Sequence, residues 1–222
     1  MNAPSQLHMH NTGAILLAAG KSSRLGSIKQ LLPFHNKTLL QHTIDELKMA
    51  GAYPLIVVIG GHATEVSGSI DQDGIDLIYN EHWEQGIASG IVAGLQRMNT
   101  RCKEIRQIIL AVCDQPYVSA ALFQQLHEVQ NSSLKNIVAS AYADTLGTPV
   151  LFTQKYFDLL LGLKGDEGAK KILKAYPEDV GRVDFPLGYI DIDTVEDYAG
   201  LLQSIKARSS SQYAPDTGRP TP

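Results

Sequence analysis

Ala14-Ile-Leu-Leu-Ala-Ala-Gly-Lys-Ser-Ser-Arg-Leu-Gly-Ser-Ile-Lys29 is the stretch on which the fold of this chain depends. Residues 14–18 are an uninterrupted apolar run, which is typical of a strand buried on both faces of a sheet. The run gives way to small and polar residues that include Gly20 and Gly26, where the backbone can approach a ligand closely. In open α/β sheets, such a loop after the first parallel strand holds nucleotide phosphates. The stretch therefore predicts a parallel α/β sheet with a phosphate site at the end of its first strand.

The distribution of charge indicates the same site. Residues 1–44 contain four Lys or Arg and no Asp or Glu, although the whole chain has 23 acidic residues against 19 basic ones and a net charge of −4. Three of those four cations, Lys21, Arg24 and Lys29, lie in the loop. We interpret this local excess of positive charge as a binding site for a polyanion.

Two familiar phosphate loops do not fit this stretch. Residues 20–22 read Gly-Lys-Ser, like the end of a P-loop, but Ile15 stands where that motif needs a Gly. Ala18 takes the place of the first Gly in the dinucleotide pattern G-x-G-x-x-G. The pattern that fits is L-A-A-G-x-S-x-R-x-G-x-x-K, over residues 17–29. With it, the chain resembles the nucleotidyltransferases of the molybdenum-cofactor type, and most closely their CTP:molybdopterin cytidylyltransferase-like group.

The resemblance assigns the first loop to a nucleoside triphosphate. Arg24 and Lys29 would act in catalysis, by steadying the triphosphate and the charge that builds on the departing pyrophosphate. Related guanylyltransferases usually have L-A-G-G at this point, so Ala19 favours CTP over GTP. The alternative is an ordinary Gly-rich connection with solvated charges. The nucleotide-binding residues implied here are Leu17, Ala18, Ala19, Gly20, Lys21, Ser22, Gly26 and Lys29.

Length and composition bound the remaining possibilities. A chain of 222 residues with 44% hydrophobic and 19% charged residues has enough apolar material for the core of one domain. We expect a flexible N-terminus over 1–12, a single nucleotidyltransferase domain over 13–206 and a disordered tail over 207–222. The acidic balance argues against nucleic acid as a partner. No apolar run approaches 18 residues and no leader is recognisable, so we expect a cytoplasmic protein with no membrane partner.

Apolar runs recur along the chain with helical patterns between them. They predict strands at 55–59, 75–79, 105–112 and 136–140. We expect helices from about 39 to Gly51, from about 63 to 70, from Ser119 to about 130, and over 195–205. Strand–helix–strand alternation predicts right-handed βαβ units. The fold class is therefore α/β: a Rossmann-like, three-layer nucleotidyltransferase fold, with a mostly parallel sheet and an antiparallel strand beyond about residue 145.

Two further segments carry nucleotide-binding candidates by resemblance. Gly61 and His62 follow the second predicted strand, and His62 is a candidate contact to the base. Residues 80–95 resemble a family segment in which Gly86 and Ser89 approach the base and ribose, although Glu81 replaces the usual Pro. The alternative for this segment is helix capping and close packing, with Trp83 as a structural plug.

Acidic residues supply the candidate metal ligands. Asp114 directly follows the fourth predicted strand, and a carboxylate facing the basic loop suits Mg²⁺ bound to nucleotide phosphates. The resemblance implies the same role for Asp193, which period-two spacing places on one face of a strand end with Asp191. Asp193 or Thr194 could instead cap the last helix. Mg²⁺ is the cofactor that we expect.

The second half of the chain is expected to bind the acceptor substrate. The candidates are Gly147, Thr148 and Pro149, in a G-x-P-x-L-F element, and Asp166 and Lys170, in a segment like G-D-x-G-A-R. Many cytidylyltransferases have His at the position of Thr148, and Lys170 replaces Arg. Asp166 could alternatively begin a helix.

The resemblance implies transfer of CMP from CTP to the phosphate of a small acceptor, molybdopterin in the best-known cases, with release of pyrophosphate. Another phosphorylated small molecule fits the same machinery. A different class of function is a non-catalytic carrier or maturation chaperone for the finished cofactor. A molybdoenzyme or its maturation factor is the protein partner that these interpretations imply.

Overall fold

A computed structural model describes residues 9–20 and 25–211, with side chains up to residue 207. The expected loose ends, 1–12 and 207–222, therefore fall largely outside the described residues. The described chain alternates strands and helices in this order: β1 (Thr12–Ala18), β2 (Pro33–Phe34), β3 (Lys37–Thr38), α1 (Leu39–Ala50), β4 (Leu55–Ile59), α2 (Ala63–Ser67), β5 (Asp76–Tyr79), α3 (Ile87–Arg101), β6 (Gln107–Val112), α4 (Ala120–Ser132), β7 (Ile137–Tyr142), β8 (Thr145–Thr153), α5 (Phe157–Leu161), α6 (Ala169–Ala175), β9 (Val180–Asp184) and α7 (Val195–Ser211).

Seven of the strands form one sheet, in the order β5-β4-β1-β6-β8-β7-β9. β1 pairs in parallel with both β4 and β6. β8 runs antiparallel to both of its neighbours, β6 and β7. The sheet is therefore mostly parallel with one reversed strand after residue 145, which confirms the predicted fold class.

The core has two sides because successive side chains of β1 point to opposite faces of the sheet. Leu16 packs with Ile44 of α1 and Phe123 of α4 on one face. Ile15 packs with Ile91 of α3 and Phe152 of β8 on the other. Helices thus cover both faces, as the uninterrupted apolar strands require.

Most predicted helix ends are confirmed by their caps. The Thr38 side chain accepts a hydrogen bond from the Gln41 amide at the start of α1, and Gly51 ends that helix with φ of 88°. The Ser119 side chain accepts from the Leu122 amide at the start of α4. α2 is shorter than predicted and ends at Ser67, where Gly68 closes its last turn.

The end of the domain differs from the prediction. Residues 189–194 do not form a strand, and the last strand is β9, which pairs in parallel with β7. The predicted alternation of buried and polar residues is present without strand pairing: Ile192 is fully buried between Asp191 and Asp193. Ile192 packs in a small third cluster with Leu25, Leu39 and Leu201 of α7. Among the described helices, none has the length and apolar character to cross a bilayer.

Candidate active site

A cavity of about 370 Å³ lies outside the carboxyl ends of β1 and β6. Ligands of open α/β sheets bind in this position, because parallel strands present their carboxyl ends at one edge. Its volume is in the range of small-molecule sites. Eight of the predicted site residues line it: Leu17, Ala18, Ala19, Gly20, Lys29, Gly86, Asp114 and Asp166.

Lys29 joins the two predicted metal ligands beside this cavity. Its Nζ donates to Oδ2 of Asp114 at 2.6 Å and to Oδ1 of Asp193 at 3.1 Å. Burial by itself would lower the pKa of the Lys29 ammonium, but the two carboxylates outweigh burial and raise that pKa well above its ordinary value. Both carboxylates therefore converge on one position, and a cation already stabilises them there.

Two hydrogen bonds hold the segment that carries Asp193 at this position, one between backbone groups and one from a side chain. The Ile192 amide donates to the Asp114 carbonyl at 3.0 Å. The side-chain amide of Gln115 donates to the Gly188 carbonyl at 2.8 Å. The segment that ends in Asp193 is thus attached to the turn after β6.

The last helix is capped by the residues next to Asp193. The Thr194 hydroxyl accepts from the Asp197 amide at 3.1 Å, and the Asp197 carboxylate accepts from the Thr194 amide at 2.8 Å. This is a reciprocal capping box. Because Thr194 caps α7, the Asp193 carboxylate can face Lys29.

Asp191 lies near the same pair, although Lys29 does not contact it. Burial, followed by the neighbouring charges of Asp193 and Asp114, raises the pKa of the Asp191 carboxyl. Lys29 therefore contacts Asp193 and not Asp191. That Asp193 rather than Asp191 would bind the metal ion stays a prediction.

Gln30 fixes the two ends of the first loop. Its side-chain amide donates to the carbonyl of Ala18 at 2.7 Å and to that of Gly20 at 3.2 Å. Gln30 is fully buried. The returning chain is therefore attached to the end of β1 within one residue of Lys29. Lys21, Ser22 and Arg24 lie outside the described residues.

The start of α3 is built around Gly86 and Ser89. Gly86 has φ of 97°, and a Cβ there would lie 2.4 Å from the Gly165 carbonyl oxygen. Only Gly fits this conformation and this close approach. The Ser89 hydroxyl donates to the Gly86 carbonyl and accepts from Asn80 Nδ2, both at 2.8 Å. Ser89 thus positions the loop between β5 and α3, and its hydroxyl is engaged within the protein.

Asp166 reaches the cavity because its loop packs on the start of α3. The Ala88 amide donates to the Gly165 carbonyl at 3.1 Å. The residue that precedes α6 as its cap is Gly168, so the helix-start interpretation of Asp166 is wrong. Asp166 lines the same cavity as residues 17–20 and Asp114, and its expected role in binding the acceptor stays a prediction.

Among the other candidates that the structure describes, these do not line the cavity: Gly26, Gly61, His62, Ser89, Gly147, Thr148, Pro149, Lys170 and Asp193. Trp83, expected to be a plug, does line it, and its ring lies over Gly61, where a Cβ would be 3.1 Å from the indole. His62 is exposed, and its ring lies 3.7 Å from Glu65. Gly26 has φ of 64° and Lys170 is exposed. Residues 147–149 lie in the first half of β8, next to the end of β6, where Leu110 pairs with Val150.

Sequence reasoning missed several residues that build the site. Asn80, Glu84, Ile87, Gly90, Val112 and Cys113 line the cavity. Burial, and then Asp114, raise the pKa of the Cys113 thiol to about 12, so this thiol is neutral and a poor nucleophile. The available signal for several of them was adjacency to a predicted residue: Cys113 precedes Asp114, Ile87 follows Gly86, and Gly90 follows Ser89.

The residues present fit a hard divalent cation. Two carboxylates from separate segments contact one ammonium nitrogen, so their oxygens could meet at a single ion of the kind that prefers oxygen ligands. Within residues 9–20 and 25–211, no group of three or more His, Cys, Asp or Glu is arranged to hold a metal. Water and phosphate oxygens would therefore have to complete the coordination shell.

Comparison with solved structures gives close relatives of the same fold. Rv0371c of Mycobacterium tuberculosis H37Rv is 34% identical, with a TM-score of 0.77 over 86% of this chain and 97% of that one. A structure of the same mycobacterial protein in complex with manganese has a TM-score of 0.71 and 31% identity over 87% and 98% of the two chains.

Curated relatives carry more than one named activity. Nicotine blue oxidoreductase of Paenarthrobacter nicotinovorans is 28% identical over 85% of this chain and 95% of the relative. Molybdenum cofactor guanylyltransferase of Xanthomonas euvesicatoria is 32% identical over 50% of this chain and 51% of the relative. These names therefore do not decide which nucleotide base or which acceptor substrate this chain would bind.

The family model described as "MobA-like NTP transferase domain" matches residues 14–180. The matched region runs from β1 to β9 and includes the first loop and Asp114, while Asp193 lies beyond it. The chain belongs to the MobA-like NTP transferase family.

Proposed function

We propose that this protein is an enzyme that transfers CMP from CTP to the phosphate of a small-molecule acceptor and releases pyrophosphate. The observation that carries the proposal is the cluster of Lys29, Asp114 and Asp193 beside a cavity at the end of β1. Residues 13–206 would form the single catalytic domain, in a cytoplasmic protein.

In this reaction, an oxygen of the acceptor phosphate attacks the α-phosphorus of the nucleotide, and the bond to the departing pyrophosphate breaks. The protein contributes position and charge, since no covalent intermediate with a side chain is needed. Lys29 and Arg24 would hold the phosphates and neutralise the pyrophosphate as it departs. The backbone of Gly20 and the Lys21 ammonium would add donors at the same phosphates.

Asp114 and Asp193 would hold Mg²⁺, which, when bound, neutralises phosphate charge and draws the two reacting phosphates together. The described cavity supports a need for such a cation, because it is bordered by the carboxylates of Glu84, Asp114 and Asp166. A polyanion would be repelled there unless cations accompany it.

The base and ribose would lie toward the start of α3, against Gly86 and Trp83, with Gly61 behind the indole. Ser89 would act by positioning this loop, and His62 would contact the base only after moving toward the cavity. The preference for CTP rests on Ala19 in the first loop, and GTP is the competing nucleotide that the guanylyltransferase relative suggests.

Molybdopterin is the acceptor that we propose, and a different phosphorylated small molecule is the alternative. Residues 147–149, together with Lys170, would border this second substrate beyond the end of β6. The product would pass to a molybdoenzyme or its maturation factor.

The test is release of pyrophosphate from each of the four NTPs, with Mg²⁺ and either purified molybdopterin or an extract of small molecules. Release with CTP and molybdopterin is the expected result. Release with another pair would keep the reaction class and change the substrates.

Failure with every NTP, together with tight binding of a finished nucleotide cofactor, would favour the carrier interpretation. A redox activity on nicotine blue without pyrophosphate release would instead favour the chemistry named in the nicotine blue oxidoreductase relative.

A further inference from the structure

We propose that Lys29 is a place-holder for the metal ion, so that a divalent cation is accepted only in exchange for the lysine ammonium. The proposal rests on the proposed function, since it concerns the same pair of carboxylates. It adds an order to the binding: without nucleotide the ammonium excludes the cation, and with nucleotide the phosphates take the ammonium over.

The geometry supports competition for one position. Lys29 Nζ lies 2.6 Å from Asp114 and 3.1 Å from Asp193, so it occupies the point where the two carboxylates converge. A metal ion held by both carboxylates would need that same point. Two cations cannot share it, because their repulsion in a partly buried site is strong.

The exchange gives each charged group a partner at both stages. Before nucleotide binds, the Lys29 ammonium attracts both carboxylates and so offsets the repulsion between them. When a metal–nucleotide complex arrives, the cation takes the carboxylates and the phosphates accept hydrogen bonds from the ammonium. Gln30 anchors the backbone one residue after Lys29. The exchange therefore needs only a movement of the Lys29 side chain.

The test measures Mn²⁺ binding without nucleotide, by the loss of the free-Mn²⁺ signal in electron paramagnetic resonance. Lys29→Met keeps much of the side-chain length and removes the charge. We expect this variant to bind Mn²⁺ about tenfold more tightly than the wild type, or more, which is the scale on which one neighbouring charge shifts an ionisation equilibrium. Lys37→Met is the matched control, because Lys37 pairs with Asp45 on the exposed face of α1, and its Mn²⁺ affinity should equal that of the wild type.

The double variant Lys29→Met/Asp193→Asn should lose the increase in Mn²⁺ affinity. A gain that persists in the double variant would place the metal elsewhere and overturn the proposal, as would equal affinities of Lys29→Met and the wild type. If Lys29→Met does not fold, acetylation of wild-type lysines answers the same question by mass spectrometry. Mn²⁺ at a concentration that saturates its weak binding to the wild type should then increase labelling of Lys29, because the ammonium is displaced, and unchanged labelling at that saturation would overturn the proposal.

Pyrophosphate release by the wild type reports separately on the proposed function. Normal release without any gain of Mn²⁺ binding in Lys29→Met would reject the place-holder alone. A gain of Mn²⁺ binding without release from any NTP would reject the proposed reaction and leave the exchange in place.

Discussion

The backbone amide of Ile192 donates a hydrogen bond to the backbone carbonyl of Asp114, and this contact brings the two acidic segments of the site together. The side chain of Ile192 is buried against Leu39 and Leu201, so the attachment does not depend on either carboxylate. Side-chain substitutions at Asp114 or Asp193 should therefore change the chemistry of the site while the segments stay in place.

Asp114→Asn and Asp193→Asn are each expected to abolish Mg²⁺-dependent turnover and to leave binding of metal-free nucleotide largely unchanged. The amide removes the negative charge that Mg²⁺ needs and keeps the shape of the side chain. Turnover and isothermal titration with nucleotide in chelator measure the two effects.

Asp191→Asn is the matched control, because Asp191 neighbours the pair without contacting Lys29. It should retain most of the turnover. A nucleotide complex with Asp114 and Asp193 more than about 8 Å apart would contradict the two-carboxylate site, since one ion with Mg–O bonds near 2.1 Å could not join them.

Lys29→Ala should lower turnover by about 10²-fold or more, the scale for loss of one preorganised charge donor, with the fold intact. Circular dichroism and steady-state kinetics check both parts. Lys37→Ala removes an exposed ion pair with Asp45 and should leave turnover unchanged. Near-normal turnover of Lys29→Ala would rule out its phosphate role.

CTP should raise the thermal midpoint more than GTP does. A ligand that binds only the native state stabilises it by about 2.7 kcal/mol at a hundred times its dissociation constant. Differential scanning fluorimetry with matched Mg²⁺ and nucleotide concentrations gives the comparison. Equal or greater stabilisation by GTP would overturn the base preference and leave the reaction class unaffected.

Gly86→Ala should destabilise the protein by about 1–3 kcal/mol or more, because its φ of 97° is strained for Ala and the new methyl would meet the Gly165 carbonyl. Urea unfolding measures the loss. Gly200→Ala is the matched control: it lies within α7 with nothing within 4 Å of an added Cβ, and it should stabilise by about 0.5–1 kcal/mol. Equal effects of the two substitutions would contradict the packing at Gly86.

Asp179 should make the stability of the fold depend on pH. Burial by itself would raise the pKa of this carboxyl, but hydrogen bonds from Lys155, Asn136 and Tyr156 outweigh burial and lower that pKa far below its ordinary value. A carboxyl with a depressed native pKa stabilises the fold above its unfolded pKa, and the contribution is lost as the pH falls toward the native value.

Asp179→Asn should therefore lower the free energy of unfolding by about 1–3 kcal/mol at pH 7. The difference from the wild type should narrow as the pH falls below about 4. Urea unfolding between pH 7 and pH 2 provides the curve, and a difference that stays constant with pH would contradict the ionic origin. Asp179 and its partners lie near the start of β7, at the amino ends of the parallel strands, whereas Asp114 follows the carboxyl end of β6. Nucleotide binding should therefore not change in Asp179→Asn.

The sequence predicted the elements whose signal is local. Leu55–Ile59 was predicted with the bounds of β4, since a short run of apolar residues is typical of a strand that is buried on both faces. β9 was not predicted because it is an edge strand with one buried residue among five, so its pattern is weak. The strand predicted at 189–194 is absent although its pattern is strong. Its alternation of buried and polar residues is present, but the segment packs on the turn after β6 and on α7 rather than on another strand.

The site was predictable where one motif carried it and unpredictable where packing between distant segments decides. Residues 17–20, Lys29 and Asp114 were predicted from the residues themselves and line the cavity. The sequence did not predict that Asp166 lines the same cavity as the first loop, because no local feature reveals that Gly165 packs on the start of α3. The engagement of the Ser89 hydroxyl by Gly86 and Asn80 was equally invisible in the sequence.

The attachment of Gln30 to the Ala18 and Gly20 carbonyls has a consequence for engineering. A segment that is attached at both ends to the same strand can be exchanged between the attachments only where its residues do not pack in the core. Leu25 is buried with Leu39 and Ile192, and Ile28 packs against the main core, so both must be kept. Libraries that vary residues 21–23 while keeping Arg24, Leu25, Gly26, Ile28, Lys29 and Gln30 should therefore yield folded proteins at high frequency, and Leu25 and Gln30 are the residues to graft with a transplanted loop.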